Sequence, residues 1–124
     1  MDATEMKRRT GQFALRVIRL LQSLPKDRVA DVIGKQLLRC GTSVGSNYRA
    51  SCRARSAADF IAKLAIVEEE ADESLYWMEL LIESGLVPAA RLADLIGEAG
   101  QLVAITVVSI NTARRKVKSG GVRV

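Results

Sequence analysis

Two stretches of this 124-residue chain carry side chains whose types and spacing could do chemistry. Gly41-Thr42-Ser43-Val44-Gly45-Ser46 sets hydroxyls around two glycines four apart, the composition of a loop that cradles a phosphate with its backbone. Glu68, Glu69, Glu70, Asp72 and Glu73 crowd five carboxylates into one short run, which could bind a metal or move protons.

Neither stretch completes a reaction. No Gly-Lys-Ser/Thr follows the glycines at phosphate-loop spacing, and no strand pattern precedes them. The chain has no His, so the commonest general base is absent. Ser43, Ser46 and Ser51 have no evident base partner to activate them. Carboxylate-bridged metal bundles need Glu-x-x-His pairs on facing helices, and these are missing. Cys40 and Cys52 alone do not make a zinc site. On one helix they would lie about 18 Å apart, too far for a disulfide, and they read as reduced thiols of a cytoplasmic protein. The sequence therefore assigns no catalytic residue, no cofactor and no metal, and an enzyme is not expected.

The elements that must position these residues are helices. Ala and Leu are abundant, aromatics make up 4% and only two residues are Pro, a balance that favours helix over sheet. Phe13, Val17, Leu20 and Leu24 fall at helical spacing and predict a first helix over about Thr4 to Ser23. Val29, Val32, Ile33, Leu37, Cys40, Val44 and Tyr48 make the stripe of a second, from near Lys26 to Arg55, with both glycines inside it. Ser56-Ala57-Ala58-Asp59 fits a capping box and opens a third helix with Phe60, Leu64, Val67, Ala71, Leu75, Met78 and Ile82 inward. Gly85 suits its C-terminal cap. Pro88 opens a fourth that runs to about Lys118. Short links make consecutive helices antiparallel neighbours. The expected fold is all-α: an up-down-up-down four-helix bundle over residues 1–118, with 119–124 as a flexible tail. The start shows no apolar run behind its basic residues, so no secretory leader is expected, and no stretch reads as a membrane span.

Gly41 and Gly45 lie one turn apart inside the second helix, where each costs roughly 1 kcal/mol of helix propensity. That cost is understandable where another helix comes very close. Substitution of either by Leu is expected to damage folding or assembly. Arg39, Ser43 and Asn47, spaced four apart, share one face and could form a polar packing network with facing carboxylates of the third helix, or contact a ligand or RNA.

Charge is segregated by helix. Residues 1–25 carry net +3, 26–55 net +5, 56–85 net −7 and 86–124 net +4. Pairing of Arg39, Arg49, Arg53 and Arg55 with the acidic third helix is one use of this pattern. Binding of phosphates by Lys7, Arg8, Arg9, Arg16 and Arg19, and by Arg114, Arg115, Lys116 and Lys118, is the other. Ile66, Trp77 and Leu80 lie off the main stripe of the third helix, and Ile105 and Val108 belong to a run of the fourth that is apolar nearly all round. Such excess apolar surface implies a partner, most simply another copy of the chain.

Leu38 to Asn47, with its Leu-Arg-x-Gly-Thr-Ser-x-Gly-x-Asn pattern, and Glu70 to Trp77, Glu-Ala-Asp-Glu-Ser-x-Tyr-Trp, resemble the four-helix bundle proteins related to the 23S ribosomal RNA intervening-sequence protein. Phe13 to Leu24 and Glu98 to Arg114 fit as well. The positions that carry the likeness are Arg39, Gly41, Thr42, Ser43, Gly45 and Asn47, with Glu70, Glu73, Tyr76 and Trp77. The resemblance implies an antiparallel bundle assembled into a homopentameric ring, without enzyme activity. A more distant relative, the accessory protein of diversity-generating retroelements, uses a basic ring surface to bind nucleic acid and a reverse transcriptase. Two functions are open at this point: a ring-forming bundle that binds RNA or DNA through basic surfaces, or a scaffold for a protein partner.

Overall fold

Each of the first three helices starts where a side chain can satisfy its free N–H groups. In the computed structural model, which describes residues 2–120, Asp2 accepts from the Glu5 N–H at 2.8 Å and starts α1, Ala3–Gln22. Asp27 Oδ1 accepts from the Val29 and Ala30 N–H groups and starts α2, Arg28–Ser51. The expected start near Lys26 therefore moves past Pro25 to the residue after this cap. The α2 helix also stops short of Arg55, because i→i+3 bonds from Arg53 and Ala54 to Ala50 and Ser51 tighten its end into a turn. Ser56 Oγ accepts from the Asp59 N–H at 3.0 Å and starts α3, Ala57–Glu83. Gly85, at φ +80°, ends α3: Leu86 donates to the Leu81 carbonyl and Gly85 to that of Ile82, the paired bonds of a Schellman motif. The last helix, α4, spans Ala89–Gly120, two residues beyond the expected Lys118. The rest of the expected tail, 121–124, lies outside the described residues.

The helices are antiparallel to their chain neighbours. Along the α1–α2 seam Leu21 and Leu24 meet Gly34, Val17 meets Gly41 and Thr10 meets Gly45, so one number falls as the other rises. The α2–α3 seam is the most extensive, followed by α3–α4 and α1–α2. The α1–α4 seam is slight, and the diagonal pairs do not approach. Four helices thus stand at the corners of a square with one thin side. No strand occurs among the described residues.

Phe13, Val17, Leu37, Val44, Val67, Met78, Leu81, Leu92 and Leu102 are fully buried and form one continuous core. The α2 stripe departs from expectation at its start. Val29 and Val32 are exposed, and Ala30 and Gly34 are buried in their place. Leu21 and Leu24 press against Gly34 there, so the small side of α2 turns inward. On α3, Ser74 and Leu81 are buried, and Phe60, Leu75 and Ile82 are half-buried. The helix α4 is long and apolar enough over part of its course to meet the dimensions of a membrane span, against the expectation that no stretch would. Its Leu92, Leu95, Ala99, Leu102, Thr106 and Ile110 are buried in the bundle, and a buried core helix passes the same test of length and composition.

Candidate nucleic-acid interface

The glycines of α2 answer to α1. A Cβ on Gly41 would stand 2.9 Å from one methyl of Val17 and 3.1 Å from the other. A Cβ on Gly45 would stand 3.3 Å from the Thr10 hydroxyl. Thr10 is itself buried and donates to the Met6 carbonyl at 2.9 Å. The stretch is helical, so its N–H groups point along the helix and do not cradle an anion.

The polar positions separate into two groups. Arg39 bridges Glu70, at 3.3 Å, and Glu73 on α3, and its Nε donates to Gln36. Trp77 Nε1 donates to the same Glu73 carboxylate at 2.9 Å. Burial pushes the Glu70 carboxyl above the usual carboxylate range; Arg39 opposes the rise, and Glu73 and Glu69 add to it. Ser43 and Asn47 form a separate pair on α2: Asn47 Nδ2 donates to the Ser43 hydroxyl at 2.7 Å and to its carbonyl at 2.9 Å. The expected single network is therefore divided. Register explains it, since Glu70 and Glu73 lie opposite Arg39 and the later turns of α2 face earlier, less acidic residues of α3. For the same reason Arg49, Arg53 and Arg55 make no ion pair among the described residues. Behind Arg39 the buried Ser74 hydroxyl lies 3.3 Å from the Cys40 thiol.

The α1 cations have different fates. Arg9 forms a two-pronged bond with Glu98 on α4, at 2.6 and 3.0 Å, and also donates to Gln101 at 2.9 Å. Its side chain is 16% exposed and that of Glu98 19%, so Arg9 closes the thin side of the square and is not turned to solvent as expected. Arg8 pairs with Glu5 one turn back. Arg16 and Arg19 line a cleft of about 380 Å³ between α1 and α4 together with Arg91, which donates to Ser23. Lys7 lies on the other side of α1, facing α2. Arg114, Arg115, Lys116 and Lys118 are exposed on the last turns of α4. The linear reading missed Arg91, and it assigned Arg49 to pairing with α3, which the structure does not show among the described residues. Arg49 stands one turn after Gly45, a spacing that places both on one face.

Of the residues proposed for an oligomer contact, Val108 is 63% exposed and Ile66 39%. Trp77, Leu80 and Ile105 are half-buried against the bundle's own core. Apolar exposure also occurs where it was not expected, at Val29, Val32 and Leu38 on α2, and at Tyr76, whose ring meets Trp77 edge-on at 5.0 Å. Phe60 on α3 and Val108 and Val117 on α4 line an open apolar groove of about 750 Å³. The groove exists because α4 outruns α1. With Arg9 opposite Glu98 and Gln101, the N-terminus of α1 ends near the middle of α4, and the last turns of α4 have only α3 beside them.

No group of three or more metal-ligating side chains occurs among the described residues. None of the curated proteins matches the chain. The crystal structure of a protein of unknown function from the S23 ribosomal protein family of Bacteroides thetaiotaomicron is similar, with a TM-score of 0.83 and 33% identity, covering 90% of this chain and 99% of that one. The family model described as 23S rRNA-intervening sequence protein matches residues 3–107, which takes in all of the first three helices and the fourth as far as Val107. The bundle and these matches agree: the chain belongs to the 23S rRNA-intervening sequence protein family.

Proposed function

We propose that the protein is a non-catalytic, cytoplasmic bundle that assembles into a homopentameric ring and binds RNA or DNA through basic surfaces. The observation that carries the reading is the cleft between α1 and α4, where Arg16, Arg19 and Arg91 converge with no carboxylate in its lining. Three cations on one cleft, repeated around a ring, give a field that adds over successive phosphates. The exposed cations at the end of α4 extend it. Titrating the binding of ribosomal RNA fragments and single-stranded DNA with salt tests the reading. Affinity should fall steeply as salt rises, and more weakly after Arg16, Arg19 and Arg91 are changed to Gln. No binding at low salt would refute it.

A second reading, a scaffold for a protein partner, is supported by the open groove of Phe60, Val108 and Val117. Purification from the native host with nuclease treatment separates the two. A partner that stays bound after nuclease supports the scaffold. Light scattering tests the ring, and a monomer at micromolar concentration would refute it.

A further inference from the structure

Gly11, unlike Gly41 and Gly45, has no packing reason to be glycine. It lies in the middle of α1, where it costs about 1 kcal/mol relative to Ala, yet, its own turn of helix aside, no atom stands within 4 Å of where its Cβ would be. What it borders is a cleft of about 460 Å³ on the outer side of the α1–α2 crossing. Lys7 and Arg8 of α1 and Arg49 of α2 rim this cleft, Thr42 and Ser46 line its α2 wall, and no carboxylate belongs to it. Lys7 and Arg49 make no ion pair among the described residues. Arg8 shares an exposed pair with Glu5, of the kind that is exchanged at little cost. The Thr42 and Ser46 hydroxyls donate to carbonyls of their own helix, at 2.7 and 3.2 Å, and one bond rotation re-aims either of them.

We infer that this cleft is a phosphoryl-binding site. Lys7, Arg8 and Arg49 hold the anion, the two hydroxyls complete its hydrogen bonds, and the space left by Gly11 admits the sugar attached to it. The volume lies within the range of small-ligand pockets, roughly 300–1,000 Å³. The phosphate can belong to a nucleic-acid strand or to a free nucleotide. The strand as its source rests on the nucleic-acid reading above; the phosphoryl chemistry does not. The site is distinct from the Arg16–Arg19–Arg91 cleft, which lies on the α4 side of α1.

Two probes test it on the full chain: a fluorescein-labelled single-stranded RNA followed by anisotropy, and adenosine 5′-monophosphate followed by amide NMR shifts of Gly11, Thr42, Gly45 and Ser46. Arg49→Gln removes one exposed cation. Gly11→Leu plugs the cleft while improving helix propensity, so the variant folds. Loss of about ten-fold or more in RNA affinity with both variants assigns the site to a strand. Mononucleotide shifts that both variants abolish, with RNA affinity unchanged or absent, assign it to a free nucleotide. RNA binding that ignores both variants but falls when Arg16, Arg19 and Arg91 are changed, with no mononucleotide shift, overturns this inference and leaves the broader reading standing. No mononucleotide shift together with no RNA binding overturns it as well.

Discussion

Replacing Gly41 by Ala adds one methyl at the closest approach between α1 and α2. The new Cβ would meet three Val17 carbons at 2.9, 3.1 and 3.3 Å. Val17 is fully buried and cannot swing aside, because a β-branched side chain in a helix has one strongly preferred rotamer. Relief must come from a shift of α1, and overpacking of this kind costs about 1–3 kcal/mol. The gain in helix propensity returns about 1 kcal/mol, so Gly41→Ala should destabilise the protein by about 1 kcal/mol. Gly100→Ala on α4 meets nothing within 4 Å and should stabilise by up to about 1 kcal/mol. The two variants should therefore differ in Tm by roughly 8 °C, at about 4 °C per kcal/mol for a domain of this size. Thermal unfolding by circular dichroism at one fixed protein concentration reads the difference. The Val17→Ala background supplies the decisive comparison: with the two methyls gone, only the 3.3 Å approach to the Cβ of residue 17 remains, and the cost of Gly41→Ala should largely disappear. A Gly41→Ala variant as stable as Gly100→Ala, or one with the same effect in both backgrounds, would refute the close-approach argument.

Three further outcomes are expected. Arg9→Met should lower stability by about 1–2 kcal/mol, since it removes charge-assisted bonds in a half-buried pair; Arg9→Lys should recover little, because an ammonium cannot reproduce the fork, and urea unfolding measures both. Burial raises the Glu70 carboxyl within a cluster of Arg39, Glu73 and Glu69, so its ionised form costs stability that returns as pH falls through the folded-state pKa. The native protein should then gain on Glu70→Gln as the solution is acidified from neutral, and gain with rising pH would contradict the assignment; melting curves across pH read it. Cys52 is exposed, whereas Cys40 is buried with its thiol pKa raised by that burial, so a thiol reagent should titrate one cysteine promptly in the native protein and the second only in denaturant.

Periodicity and caps made most of the fold legible, and for local reasons. Ser56 with Asp59 and Gly85 act through bonds to residues only a few positions away, so their effects are written into a short stretch. Burial at the start of α2 was not legible in that way. Val29 and Val32 carry the apolar signal, but Gly34 must admit Leu21 of α1 and Leu24 of the link that follows it, and this turns the helix so that the valines face outward. The cations show the same limit. Arg39 was matched to Glu70 and Glu73 because the acidic run of α3 is long and its centre falls opposite. Arg9 could not be told from Arg8, since its partner Glu98 lies on the far helix and no spacing in α1 announces it. The Arg16–Arg19–Arg91 cleft and the Lys7–Arg8–Arg49 cleft each join helices whose relative rotation is set by packing.

The thin side of the square bears on the order in which the chain assembles. Every extensive seam joins helices adjacent in sequence, so most contacts form by closing short loops, at small entropic cost. Topologies of this kind fold fast. The α1–α4 closure is the exception, since Arg9 must find Glu98 across 89 positions. Contacts that demand the longest loop and bring the least burial form last and break first. The Arg9 fork therefore acts as a latch: it contributes little to the speed of folding and much to how long the closed bundle persists.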